Sequence, residues 1–520
     1  MKAILLFLFL IGISNGLKSQ FISSGTGEKY SLEEIALISP TTVIRESSTK
    51  YHILQNITVL KEDSLVINTD NAEILLDGGK LVTINGYFEA KSNDILFSSY
   101  DPSQPCMGFM LSDTSKILLE NAKFQYGGGI KCNTDNIMVD HCEFYKNVGG
   151  ITTKAAFEMD LKVTETNQGR KPTIRNSKFI ENKNSAFVIN RKGVGQYLQF
   201  ISNYLYKNGG IASAQLVINS NDSWSRKNVD NDTIRISKNS VIGDRNVIGM
   251  IGGVNIIARN SNYIFSENNV RDNSYGVSIV QEFHNGWNES KSIFNYVKGN
   301  IIEYNNTNVE SDLSSGYGII CDGGNATGIP RNITVFSRNK IRYNYTGLYY
   351  YTNIGTVYLG SSEEVIDIGQ NVFLNNIRNG KETALKVGYK TSLLSAKFNC
   401  WKEGAQMTDA MVFSLIEQTY DPEPPEILLP RVKPYSCDFL NSDEIKDSKF
   451  VLSISPNPIK DIIYVDSPIE SNASFLDFSG KSVYKVKLSK GRNLIKPNLK
   501  TGVYFLQAEG IKEVKKIIVN

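Results

Sequence analysis

The chain has 520 residues and a formal net charge of +3. That length exceeds one ordinary compact core, so it requires several domains or growth by repetition along an axis. The near-neutral balance excludes a strong phosphate-backbone binder, whose basic patch would dominate the count, so nucleic acid is not an expected partner. Asn and Gly are abundant, and β-branched and aromatic residues are frequent, which favours strands and tight turns over helices.

In chain order, Lys2 and the apolar run Ala3 to Ile13, followed by small Ser14 and Gly16, predict a secretory signal over 1–19. The run is too short to span a bilayer, and no other apolar run reaches that length, so no integral membrane segment is expected. Six cysteines (Cys106, Cys132, Cys142, Cys321, Cys400 and Cys437) include no Cys-x-x-Cys pair. In an exported chain they permit disulfides, and Cys400 with Cys437 is the first candidate pair.

Residues 20–440 are repetitive. A polar corner residue, usually Asn, is followed by two residues, an apolar one, then another Asn or Asp. Copies begin at Asn121, His141, Asn176, Asn203, Asn239, Asn300, Asn339 and Asn371. The period is about 31 residues and holds two or three short strands. Chain wound into stacked coils satisfies this pattern: each strand pairs in parallel with its equivalent one coil away, and the corner Asn residues form side-chain ladders. About a dozen coils at ~4.8 Å each would make a rod roughly 60 Å long. No four-strand repeat of about 45 residues supports a β-propeller. The pattern resembles the right-handed parallel β-helix of the pectate-lyase-like superfold.

The expected caps are a short helix over Ser31 to Leu37, with Tyr51 to Val59 opening the first coil. At the other end, Asn399-Cys-Trp401 and a helical pattern over Thr408 to Ile416 lead to Asp421 and Pro422. Residues 441–448 read as a polar linker.

Residues 449–520 alternate as six or seven short strands of a small β-sandwich, with turn signals at Asp477 to Gly480 and at Lys490-Gly491. The landmarks Pro456, Asn457, Pro458, Gly480, Gly502 and Tyr504 occur in an order that resembles the C-terminal sorting domain of the type IX secretion system. The resemblance implies export across the outer membrane, a secreted or surface location, and the secretion machinery as partner.

The chemistry is less legible. Asn133-Thr-Asp135 opens a polygalacturonase signature, but the paired Asp, Gly-His-Gly and Arg-Ile-Lys of that family do not follow. Asp140-His141 is similar to the Asp-His segment of pectate lyases, where the Asp binds calcium, but the downstream ligands and Arg are unmatched. His141 also occupies the Asn slot of the repeat and reads more readily as a corner-ladder residue than as a catalytic one. Lyase chemistry on uronic acids needs a cation to neutralise the carboxylate and a base for the C5 proton. Asp140, His141, Lys171 and Arg175 are the catalytic candidates, with Arg191 and Lys192 in a neighbouring coil. Asp135 and Asp140 are the candidate ligands if calcium is used; no cofactor is otherwise implied. Tyr343, Tyr345, Tyr349 and Tyr351, with His284 and Trp287, are glycan-binding candidates, since rings flanked by Asn and Asp suit sugars. The expectation is a monomeric exported rod that binds a polysaccharide or cell-surface glycan. The alternative is a lyase or hydrolase acting on an acidic polysaccharide.

Overall fold

A computed structural model describes residues 20–162, 171–192, 198–209, 213–221, 233–247, 249–258, 262–281, 293–307, 315–323, 332–351, 355–360, 369–388, 394–403, 407–419, 427–428, 452–455, 459, 461–467, 469–477, 481–509 and 511–519. The signal segment, the linker, Cys437, His284, Trp287, Pro456 to Pro458 and Gly480 lie outside them. Two compact units result, Met1–Ser436 and Cys437–Asn520.

The first unit is a right-handed parallel β-helix. Its first sheet has 14 parallel strands, from Phe21–Ile22 to Ile416–Gln418. The second sheet runs from Lys29–Tyr30 through Ile137–Asp140 to Ile427–Leu428. The third runs from Lys50–Ile53 through Glu143–Tyr145 to Val372–Leu374. The two long strands Tyr87–Ser99 and Lys116–Gln125 bend through the corner and belong to both. The coiling starts earlier than Tyr51, because Phe21–Ile22 already pairs with Ile57 and Thr58. The helix Leu32–Ile38 therefore lies within the first coil; a capping box between Ser31 and Glu34 starts it, and Leu32 and Ile35 bury against the rod. At the far end the helix is Asp409–Ser414, and Ile416 begins a strand that pairs with Leu385 to Val387 and finishes the first sheet. Trp401 is fully buried and stacks on Phe373 with ring centroids 5.1 Å apart. Cys400 is disulfide-bonded, while Cys106, Cys132, Cys142 and Cys321 are buried free thiols.

Two amide ladders hold the coils in register. Between the second and third sheets, Asn203, Asn239, Asn268, Asn300, Asn339, Asn371 and Asn399 stack. The backbone N–H and side-chain Nδ2 of each donate to Oδ1 of the next; for Asn268 to Asn300 the distances are 2.9 and 3.0 Å. The second proton on Nδ2 closes onto a strand carbonyl, such as Ile236 O for Asn268 at 2.9 Å. The parallel ladder after the third sheet runs Asn147, Asn182, Asn208, Gln215, Asn273, Asn305, Asn344 and Asn376. Gln215, from the first sheet, occupies the rung that the spacing assigns to Asp244. A carboxylate accepts hydrogen bonds but has none to donate, so it cannot continue such a ladder. Asp244 turns out to Lys207 at 3.1 Å instead.

The repeat register needs one correction. In the early copies the ladder slot belongs to Ala122, Cys142 and Ser177, each two residues before an inward Phe, and not to Asn121, His141 and Asn176. Those three occupy the preceding corner position, where φ is 51–56°. The inward Phe97, Phe124, Phe144 and Phe179 stack with centroids 4.7–5.3 Å apart. Beside the second ladder, Gly253, Gly276, Gly318 and Gly347 form a column in which an added Cβ would lie 2.4–2.6 Å from a carbonyl of the next coil.

The second unit is a sandwich. Ser453–Ser455, Ile463–Ser467 and Gly491–Ile495 form one antiparallel sheet; Ser482–Leu488, Ser471–Leu476, Gly502–Ala508 and Ile511–Val519 form the other in that spatial order. Lys490-Gly491 is not a hairpin. Gly491, at φ 97°, sends the chain across to pair with Ile463–Ser467 in the opposite sheet. Phe475, Leu506 and Ile517 meet Ile463, Val465 and Ile495 in the core.

Replacing Asn268 by Leu leaves the two Asn239 donors unpaired in the interior and should cost about 2–5 kcal/mol. Glu267→Gln, one residue away on the exposed corner, should cost less than about 0.5 kcal/mol. Urea midpoints of the two variants test this; equal midpoints would remove the ladder as a source of stability.

Candidate functional site

The rings that the sequence singles out divide between two surfaces. Alternation along Thr346–Tyr350 sends Tyr350 into the core, where it is fully buried, and Tyr349 to the outer face of the first sheet. Tyr351 follows on the same side and is 37 % exposed, its ring 5.4 Å from that of Tyr349. Tyr317, one coil earlier, stacks on Tyr349 at 4.9 Å. In the coils beyond, Lys386 and Glu417 are the register partners of Tyr349 and of Lys386 respectively. The Lys386 amine lies 4.6 Å over the Tyr349 ring and 3.9 Å from Glu417.

A two-stranded hairpin, Ile377–Arg378 with Lys381–Glu382, leaves the coil between the third and first sheets and carries Arg378 to the same place. Its guanidinium covers the Tyr345 ring at 5.6 Å, and its Nη1 is 3.6 Å from Glu417. Beside it the Tyr345 hydroxyl donates to Asn379 Oδ1 at 2.5 Å. Arg378 Nη1 is buried with no hydrogen-bond partner. Burial, then the charge of Arg378, hold the Lys386 amine below its ordinary pKa against the pull of Glu417. Burial raises the Tyr317 and Tyr349 phenols. The cluster thus sets two cations against one carboxylate among four phenols.

Tyr343 is elsewhere. It stands at a left-handed corner position after the third sheet, stacked on Tyr304 at 4.8 Å and covered by Arg342. Tyr317, Arg378, Lys386 and Glu417 were missed by the sequence reading. For Lys386 a signal existed: it is the polar residue of the alternating strand Leu385–Val387, in the coil after Tyr349.

The acid–base candidates converge in part. Asp140 ends its second-sheet strand and Arg175 ends the next. The Arg175 Nε and Nη2 donate to Asp140 Oδ2 at 2.8 and 2.7 Å, and Asn176 Nδ2 donates to Oδ1 at 2.8 Å. His141 Nδ1 lies 2.8 Å from the same Oδ1. His141 is not a ladder residue; its left-handed corner conformation points the ring outward, 60 % exposed, into an open groove of about 370 Å³ with Asp94, Asn121, Lys123 and Glu143. Partial burial pushes the Asp140 carboxyl up. Hydrogen bonds from Asn176 and Arg175 and the neighbouring positive charges outweigh this and hold it below the usual range.

Lys171 is exposed just before the strand Thr173–Arg175, whereas Arg191 and Lys192 end a first-sheet strand, so these cations do not share one face. Asp135 is buried in the turn after the first sheet. Among the described residues, no three His, Cys, Asp or Glu side chains gather to hold a metal. Among them also, no helix is long and apolar enough to cross a membrane.

Residues 453–520 match the family described as "Secretion system C-terminal sorting domain". No curated protein matches the chain. Among solved structures, a mutant of the periplasmic alginate epimerase AlgG is similar at 12% identity and TM-score 0.43, covering 80% of this chain and 85% of that one. The unmutated AlgG aligns at 12% identity and TM-score 0.39, covering 78% and 84%.

Because its folded pKa is lowered, Asp140 contributes stability that is complete above the ordinary carboxylate pKa of about 4 and lost as pH falls through the lower folded value. The urea-midpoint gap between wild type and Asp140→Asn should be widest near neutrality and narrow in acid; a gap that does not change with pH would remove the charge pairing as its cause.

The strand ladders and the matched tail together define the chain as a right-handed parallel β-helix protein with a type IX secretion system C-terminal sorting domain.

Proposed function

We propose that residues 1–19 direct this protein into export, and that the rod, secreted or held at the surface, binds glycans as a single chain on the outer face of its first sheet. The observation that carries this reading is the cluster in which Arg378 and Lys386 share the single carboxylate of Glu417 beside Tyr345 and Tyr349, with Arg378 Nη1 making a 3.6 Å ion pair but no hydrogen bond. A buried guanidinium N–H that is ion-paired but not hydrogen-bonded gains a hydrogen bond when a ligand supplies an acceptor. Sugar hydroxyls and carboxylates are acceptors of that kind, and phenols at the rim give further hydrogen bonds and apolar contact. Two cations against one carboxylate favour an acidic sugar over a neutral one.

A second reading, a lyase or hydrolase acting on an acidic polysaccharide, is favoured by the Asp140–His141 pair. The carboxylate fixes Nδ1, which leaves Nε2 free at the groove to take or give a proton.

Affinity electrophoresis of the full chain through gels containing polyuronates or neutral glycans tests binding. Arg378→Met should weaken retention about tenfold, the loss of one charge-assisted hydrogen bond, and Tyr351→Ala by several-fold. Absence of retention in every gel would sink the reading. Incubation with the same glycans, followed by ultraviolet absorbance of unsaturated products and by new reducing ends, tests catalysis: turnover abolished in His141→Ala supports the second reading, and none in wild type removes it.

A further inference from the structure

The charge of this chain is unevenly placed. Residues 453–520 hold eleven Lys and Arg against six Asp and Glu, a surplus larger than the +3 of the whole protein. The remainder is therefore slightly acidic, and the basic character belongs to the sorting domain.

The four-stranded sheet of that domain has two dissimilar jobs for its faces. The inner one supplies Ala473, Phe475, Leu488, Leu506, Ala508 and Ile517 to the core. The outer one should then be polar, as in most two-layer sandwiches. Instead Leu476 lies directly across from Phe505, and Val503 across from Ile518, with Val503 and Phe505 two residues apart on one strand. These four make one contiguous apolar patch. Val503 is 38 % exposed, and Val483 on the neighbouring edge strand is 43 % exposed. The edge strand Ser482–Leu488 also presents Lys485 and Lys487, both exposed, on the same outward side as Val483; Lys487 is paired with Glu470.

We infer that this outer face, the Leu476–Phe505–Val503–Ile518 patch with its lysine rim at Lys485 and Lys487, is the surface by which the secretion machinery reads the sorting domain, and that its partner there is a protein surface with an apolar centre and an acidic rim. An apolar patch bounded by charge is the anatomy of a protein interface. A lysine edge also keeps the open strand from pairing with a second copy of itself, so the face is available without aggregating. Complementary charge speeds the encounter, while the buried apolar centre supplies the affinity. The match of residues 453–520 to a sorting domain provides the reason for such a surface to exist; the glycan reading of the rod is not involved.

The test is export of the full chain from a host that possesses a type IX system, measured as the exported fraction against the periplasmic fraction. Phe505→Asp should lower the exported fraction about tenfold and leave the protein in the periplasm. The double variant Lys485→Glu/Lys487→Glu, which leaves the core untouched, should lower it several-fold. Leu494→Asp, equally apolar and 61 % exposed but on the other sheet, should be exported normally. Melting curves of the purified variants separate misfolding from lost recognition. If Phe505→Asp is unfolded, the lysine double variant decides. Normal export of folded Phe505→Asp, normal export of the double variant, or equal failure of Leu494→Asp would each overturn the inference. So would a wild-type dimer dissolved by Phe505→Asp, or binding of the tail to anionic vesicles with no binding to the solubilised export complex.

Discussion

The rod depends on one hydrogen-bonded group, the carboxamide at its corners. A primary amide donates two protons and accepts at its oxygen, so one side chain can receive from the coil before, give to the coil after and still close a strand carbonyl. Repeated from Asn203 to Asn399, this satisfies the turn backbone that parallel strands leave unpaired and fixes the rotation of each coil against the next. The response to Asp244 illustrates the demand. Where the local residue cannot donate, Gln215 reaches in from another sheet to keep the chain of amides unbroken.

Register at the corners is what gives the outer faces their meaning. Because successive coils are locked, residues far apart in sequence form columns one strand spacing apart. Tyr349, Lys386 and Glu417 are neighbours only because the first sheet pairs them in register. The same holds for Asp140, Arg175 and His141 at the second corner. A shift of one residue would turn Tyr349, Lys386 and Glu417 into the core. The two clusters differ in charge balance. At the first sheet two cations share one carboxylate and a guanidinium N–H makes no hydrogen bond, whereas at the corner the carboxylate is held by three exposed side chains, Arg175, Asn176 and His141.

The sorting domain follows a different economy. Among the described residues it is built of two antiparallel sheets around a small core with no amide ladder, and its net charge is basic where the remainder of the chain is slightly acidic. Its outer face keeps apolar residues that folding alone does not require.

Much of this was legible from the residues alone. The spacing of Asn and inward apolar residues determined stacked coils, and the ordered Pro, Gly and Tyr landmarks determined the tail, because both depend on local turn geometry and period. The ladder register at His141 was not legible: an Asn-like polar residue fits either of two adjacent corner positions, and only the inward Phe144 decides between them. Nor was the Arg378–Lys386–Glu417 group, since its members come from a hairpin and two coils whose alignment is set by long-range strand pairing. The split of Tyr343 from Tyr345, Tyr349 and Tyr351 has the same cause. Sequence determined the period and therefore the rod and its address; the tertiary structure decided which side chains meet on its faces, because a column forms only when coils some thirty residues apart are brought to one strand spacing.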